Sequence, residues 1–329
     1  MKSNQASDMD RRAFLKGMTA GAGCIFSASA LSALGADDPG VFPYRGSVER
    51  LVLAYQHIHI GLERPFSVLH ISDTHLTAVD EDEFDKTDFA RFRTNIFGGR
   101  QEEALRDSLA WARKNVDYVI HTGDLIDFQT RANLRLAKKY FGLSEGRMTG
   151  AMGNHEFQRR KPGEALQRTV EYNALSAADL KEAFPFDPEL QSTVINGVNF
   201  VAIEQVYGFV TERQVERFEA EVKKGLPIIL CMHAPLMTDE IWRFERKYWK
   251  GPGKKYSNAA IPDPEGDYKR QLESPVTMDF IKNLKSQPLL KGILAGHLHL
   301  TAQDRFSPTA IQYVVGGNFL FHGEEVLFS

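Results

Sequence analysis

The chain has only two cysteines in 329 residues, Cys24 and Cys231, which excludes a scaffold stapled by disulfides. It has no excess of either charge. With 40 Lys and Arg against 43 Asp and Glu, a formal charge of -3, no global basic field draws it to nucleic acid or to an anionic membrane surface. Fourteen Pro and 26 Gly are too few for a fibrous or low-complexity chain. The hydrophobic share of 43% and the mean hydropathy of -0.32 exclude disorder and leave apolar material for a large core.

Strongly apolar runs of membrane-spanning length are also missing, and the stretch that comes nearest is informative. Residues 1–10 are polar, Arg11-Arg12-Ala13-Phe14-Leu15-Lys16 follows, and then twenty uncharged residues run from Gly17 to Ala36. A charged start, a weakly apolar middle and a small-residue end make an export signal, with Ala28-Ser29-Ala30 and Ala33-Leu34-Gly35 as candidate cleavage sites. Arg-Arg-x-Phe-Leu-Lys resembles the bacterial twin-arginine signal, which implies a partnership with that export machinery and a periplasmic or extracellular location. An uncleaved anchor is the competing reading, since twenty residues just span about 30 Å of hydrocarbon. The abundance of Ala, Gly, Ser and Thr argues against it and against stable membrane insertion after cleavage. Lipidation at Cys24 is disfavoured because Gly21-Ala22-Gly23 lacks a large aliphatic residue. Removing residues 1–36 leaves 36 basic against 41 acidic residues, a charge of -5, and one cysteine.

From 37 to 329 no repeat and no linker divides the chain, so a single domain is expected. Strands are expected at Val48–Ala54, His57–Ile60, Phe66–Ile71, Tyr118–His121, Met148–Met152, Val198–Ile203, Pro227–Met232, Gly292–Ala295 and Ile311–Val315. Helices are expected at Glu102–Lys114, Ala132–Phe141, Gly163–Tyr172, Ala177–Ala183, Glu212–Lys224 and Val276–Asn283. This alternation predicts an α/β class, with sheets covered by helices. Residues 236–274, rich in Trp, Tyr, Lys, Arg, Pro and Gly, read as an insertion on the rim.

Metal-capable side chains gather where those strands end. Asp73 and His75 follow Val68-Leu69-His70-Ile71, Gly123-Asp124 follows Tyr118-Val119-Ile120-His121, and Gly153-Asn154-His155-Glu156 follows the Met148 run. His233 closes Ile228 to Met232, and Gly296-His297-Leu298-His299 closes Ile293-Leu294-Ala295. Each fragment has a plainer explanation: an Asp after a strand caps or turns, and a lone His packs. Five strand ends in order, all carrying ligand-type residues, are poorly explained as independent turns, and loops at strand ends are where α/β proteins build sites.

That ordered set resembles the calcineurin-like metallophosphoesterase superfamily, over about Val48 to Phe319. The resemblance implies a four-layer α/β/β/α sandwich, two facing mixed β-sheets flanked by helices, with a dinuclear metal site at strand ends. It implies that Asp73, His75 and His299 hold one metal, that Asn154, His233 and His297 hold the other, and that Asp124 bridges them. Carboxylate, amide and imidazole donors suit divalent Mn, Fe, Zn or Co, with no thiolate needed; Cys231 reads as strand packing. The implied activity is hydrolysis of phosphate mono- or diesters through attack by a metal-bridging hydroxide. His155 then contacts a phosphoryl oxygen or protonates the leaving alkoxide. Asp127 orients His155, as a carboxylate does at this place in phosphoprotein phosphatases, or else caps the next helix. Purple acid phosphatases have Tyr where Asp127 stands, which disfavours a ferric purple site. The segment from Val48 to His75 looks most like exported bacterial phosphohydrolases and the cyclic-nucleotide phosphodiesterase branch.

The expected partner is therefore a small phosphate ester, with no specific nucleic-acid binding. Trp242, Arg243, Arg246, Lys247, Tyr248, Trp249 and their neighbours either close over the site as a lid or form an ordinary surface helix. His57, His59, His70, His121 and His322 carry no assigned role. A catalytically silent binding module on the same fold is the alternative, and the presence of Asp124, Asn154 and His155 speaks against it.

Overall fold

The solid apolar runs build two sheets. The computed structural model describes residues 50–83, 87–159, 167, 169–248 and 274–329, so the export segment and residues 249–273 of the expected insertion lie outside the described residues. The first sheet contains β1 (Val52–Ile58), β2 (Phe66–Ile71), β3 (Tyr118–His121), β4 (Met148–Gly150) and β11 (His322–Phe328), in the order β1-β11-β2-β3-β4. β2, β3 and β4 are parallel, while β11 is antiparallel to β2 and parallel to β1. The second contains β5 (Leu190–Ile195), β6 (Val198–Ile203), β7 (Ile228–Cys231), β8 (Leu290–Ala295), β9 (Ala302–Arg305) and β10 (Ile311–Val314), ordered β5-β6-β7-β8-β10-β9 with antiparallel edge pairs.

Period-two alternation sorts these residues into layers. Val68, Ile120, Val326 and Phe328 of the first sheet meet Phe200, Ile229, Leu294 and Tyr313 of the second in one buried cluster between the sheets. Their sequence neighbours Leu69, Ile71 and Val119 face outward, onto α2 (Gln101–Asn115), α3 (Arg131–Leu143) and α5 (Ala177–Ala183). On the other side Val201, Leu230 and Ile293 pack under α6 (Glu212–Val222), α7 (Asp239–Tyr248) and α8 (Pro275–Ser286). The result is the expected four-layer sandwich. Helix starts follow local chemistry: Thr130 caps α3, Thr211 and Gln214 form a reciprocal capping box on α6, and Ser274 caps α8 ahead of Pro275.

Differences from the sequence reading have physical causes. Val48–Ala54 and His57–Ile60 are not two strands, because one continuous parallel register with β11 carries Tyr55 and Gln56 through the middle. β5, β9 and β11 went unread, as did α1 (Thr87–Ile96) and α7. Of the expected helix over Gly163–Tyr172, residues 163–166 and 168 lie outside the described residues and the rest begins α4 (Val170–Ala174). Leu236 and Ile241, at the start of the expected insertion, are buried in the outer core of the second sheet.

Candidate metal centre

The β2–β3 pairing does not stop at the strand ends. Thr122 N donates to Ile71 O, Asp73 N to Gly123 O, His75 N to Asp124 O and Leu76 N to Leu125 O, each at 2.8 to 2.9 Å. The Asp73-x-His75 and Gly123-Asp124 turns are therefore zipped together backbone to backbone. On the second sheet Gly296 N donates to His233 O at 2.9 Å. The two halves meet where His297 N donates to Asp73 Oδ2 (2.8 Å) and Asn318 N to Ser72 O (2.8 Å).

This framework brings six of the expected ligands to one place, with Asn154 on an adjoining loop. Asp73, His75 and His299 converge, with His299 Nε2 3.2 Å from Asp73 Oδ1 and 3.1 Å from His75 Nε2. Asp124, His233 and His297 also converge, with His233 Nε2 3.1 Å from Asp124 Oδ2 and 3.0 Å from His297 Nδ1. Asp124 Oδ2 lies 3.8 Å from His75 Nε2, between the groups. Asn154 lies between Gly153 and His155 on the loop beside Asp124, and its buried Oδ1 has no hydrogen-bond partner.

Tautomers follow from the partners. His233 Nδ1 faces the Thr122 carbonyl at 2.8 Å and His75 Nδ1 faces Asp127 Oδ1 at 3.0 Å, so each holds a proton there and turns Nε2 inward. Two such Nε2 atoms 3.0 to 3.1 Å from another ring nitrogen, beside the buried Asp73 Oδ1, make an arrangement that a cation satisfies by displacing any proton held between them. Five of these residues have left-handed backbones: Asp73, His75, Asp124, His297 and His299, with φ between 53° and 67°. Such a conformation costs roughly 1–2 kcal/mol in a non-glycine residue, and its concentration here marks a site where ligand geometry overrides local preference.

Burial pulls His75 down to about 4 and His297 to about 3, keeping both neutral and able to ligate. Burial also pulls on His233 and His155, but Asp124 and other carboxylates more than offset it, and both are pushed up to about 9. Asp124 is held well below the usual carboxylate range, where the neighbouring imidazoles outweigh its own burial.

Asp127 meets two rings where the sequence suggested one, since its Oδ1 lies 3.0 Å from both His75 Nδ1 and His155 Nδ1. Several participants around it had escaped the sequence. Arg93 of α1 grips Asp127 through Nε (2.6 Å) and Nη2 (2.7 Å). Phe97 stacks on His75 at 4.1 Å and 10°, and Phe319 stands edge-on to Phe97 at 4.8 Å. The buried Glu156 carboxylate accepts from the backbone of Asp124 (2.9 Å), Gly153 (2.7 Å) and Ile126 (3.1 Å), tying the two ligand loops together. Burial and then the Asp124 charge push that carboxyl up to about 7, against the pull of these donors. Beneath the centre, buried Glu324 and His70 pair at 3.1 Å, and His70 Nε2 meets Thr122 Oγ1 at 2.9 Å. No signal in the sequence marks Arg93; for Glu156 the signal is its place in Gly-Asn-His-Glu. Cys231 is buried in the inter-sheet core, as expected, and burial pushes its thiol to an inert range.

The family model for calcineurin-like phosphoesterases matches residues 66–301, which contain every one of these motif residues. The chain belongs to the calcineurin-like phosphoesterase family. No curated protein matches it. Among solved structures it is similar to a dimetal phosphatase from Danio rerio, at 14% identity over 77% of this chain and 88% of that one, with a TM-score of 0.45. It is also similar to a purple acid phosphatase from yellow lupin seeds, at 15% identity over 81% of this chain and 46% of that one, with a TM-score of 0.43. A phosphopantetheinyl hydrolase from Mycobacterium tuberculosis matches at 13% identity over 78% and 91%, with a TM-score of 0.42. As a member of this family the chain is a phosphoester hydrolase with an Asp and His cluster suited to divalent metal.

Proposed function

We propose that this phosphoesterase holds two divalent cations, one on Asp73, His75 and His299 and one on Asn154, His233 and His297, with Asp124 shared, and hydrolyses small phosphate mono- or diesters. The observation that carries this reading is the pair of converging clusters around Asp124 with Nε2 of His75 and His233 turned inward. When bound, the cations supply charge neutralisation and an activated water. The chain's own residues do the rest. His155 Nδ1 is fixed by the Asp127 carbonyl (2.6 Å) and Oδ1, which turns its Nε2 edge toward Asp124 Oδ2, 3.9 Å away. From there it donates to a phosphoryl oxygen or to the leaving alkoxide.

In this reading the mature protein is residues 37–329, exported through the twin-arginine machinery, and its nearest functional kin are exported bacterial phosphohydrolases and cyclic-nucleotide phosphodiesterases. No helix among the described residues is long and apolar enough to cross a membrane.

Metal analysis together with an ester panel of aryl phosphates, cyclic nucleotides and sugar phosphates tests the proposal. About two metal ions per chain and Mn-stimulated turnover are expected, with Asp124→Ala and His297→Ala losing both. Metal binding without turnover on any ester would favour the silent module. For export, Arg11→Lys with Arg12→Lys should trap the protein in the cytoplasm; continued delivery would count against that route.

A further inference from the structure

Arg93 lies on α1, one helical turn before Phe97. Its guanidinium meets Asp127 as a fork, Nε to Oδ2 at 2.6 Å and Nη2 to Oδ1 at 2.7 Å, and sits 4.9 Å from the centre of the Phe97 ring. The Asp127 carboxylate is fully buried. Its Oδ1 accepts from Arg93 and His75 and lies 3.0 Å from His155 Nδ1, which also donates to the Asp127 carbonyl at 2.6 Å. The torsion that turns a carboxylate about its Cβ–Cγ bond is soft, so two imidazoles pulling on one oxygen do not by themselves fix its plane. A planar two-point donor does, and an ammonium has no such fork.

We propose that Arg93 is a positioning residue of this site: by locking the plane of Asp127 it orients His75 for metal binding and His155 for proton delivery through the same oxygen. Residues 93 and 97 thus grip His75 from two directions, at Nδ1 through Asp127 and on the ring face through Phe97. A rigid support of this kind commonly changes metal affinity by ten- to a hundredfold when removed. The second half of the inference rests on the phosphoesterase reading, because His155 matters only if a leaving group needs a proton. The first half does not.

The two halves are separated by two measurements on the full-length protein carrying Arg93→Lys or Arg93→Gln. Calorimetric titration of metal-free protein with Mn²⁺ or Zn²⁺ reads the His75 arm, and affinity is expected to fall by about tenfold or more in both variants. Rates on a nitrophenyl and an alkyl phosphate ester at saturating metal read the His155 arm. The kcat on the alkyl ester, whose leaving group needs the proton, is expected to fall at least tenfold further than on the aryl ester, with KM little changed. Arg91→Gln, on the same helix but paired with exposed Asp88 at its own turn, should leave both readings unchanged. Wild-type metal affinity together with equal losses on both esters would overturn the proposal and reduce Arg93 to a helix anchor. If the wild-type protein hydrolyses no ester, the phosphoesterase reading fails, and the metal titration alone still decides the role of Arg93. Should Arg93→Gln fold poorly, Arg93→Lys keeps the charge and carries the test.

Discussion

Alanine placed at two glycines should move stability in opposite directions. Gly123 sits at φ +95°, and a Cβ there would lie 2.6 Å from Gly153 N and 2.7 Å from His233 Nδ1. The left-handed backbone costs an alanine roughly 1–2 kcal/mol. Forcing an atom into this closely packed turn adds about 1–3 kcal/mol. Gly123→Ala should therefore lose about 2–5 kcal/mol, a large part of the 5–15 kcal/mol typical of a whole domain. The methyl would also push on His233, whose Nδ1 bond to Thr122 O is 2.8 Å long, so metal affinity should fall by about tenfold or more. Gly142 in α3 is the control: no atom lies within 4 Å of its ideal Cβ and its φ is ordinary. Gly142→Ala should gain about 0.4–1 kcal/mol, through the unfolded chain and helix propensity. Urea unfolding of metal-free protein, followed by circular dichroism, measures both. If Gly123→Ala stayed within about 0.5 kcal/mol of wild type with unchanged metal affinity, the close approach between the two ligand loops would be refuted.

Removing one partner of the buried His70–Glu324 pair should be far costlier than removing both: His70→Ala is expected to lose about 3–5 kcal/mol by stranding a buried carboxylate, whereas a His70→Leu, Glu324→Leu double variant should recover much of it. Comparable losses in denaturant unfolding would contradict this. Glu204, whose Oε1 accepts from Val206 N at 2.8 Å, is pushed up to about 8, by burial first and then by the charge of Glu189. Its protonated form is the one the fold favours. The stability it confers is complete below its ordinary value of 4.5 and is lost as pH rises through about 8. Glu204→Gln should thus stabilise the protein by about 1–3 kcal/mol at pH 9 and do little at pH 4, since a tenfold change in proton affinity is worth about 1.4 kcal/mol and a partly exposed carboxyl realises less than the full amount. Unfolding curves across that range will show a flat difference if the carboxyl is ionised in the fold.

The ligand motifs were legible because each pairs a solid apolar strand with a turn that carries a polar side chain, as in Ile71-Ser72-Asp73 and Ala295-Gly296-His297. The order of these motifs along the chain, and the family it resembles, pointed to Asp73, His75, Asp124, His233, His297 and His299, which the fold gathers. β11 was illegible for the opposite reason: His322-Gly323-Glu324-Glu325 has no apolar run, yet both glutamates are buried within a sheet. β9 and β5 are edge strands with mixed faces, and their pairing depends on neighbours distant in the chain. Arg93 had no sequence signature among 40 basic residues, since its partner Asp127 lies 34 positions away and only the folded helix aims one at the other.

The position of β11 sets an order of events. It lies between β1 and β2, and its pairing with β2 joins residues 254 apart, Glu324 and His70. Until residues 322–328 are in place, the first sheet has a gap between β1 and β2, and His70, which meets Thr122, lacks its Glu324 partner. Contacts of such sequence separation form late and slowly. The ligand loops of both sheets precede this strand in the chain, so a centre gathered without it lacks the brace that reaches Thr122 through His70 and Glu324. Strong metal retention would then report that the first sheet has closed around β11.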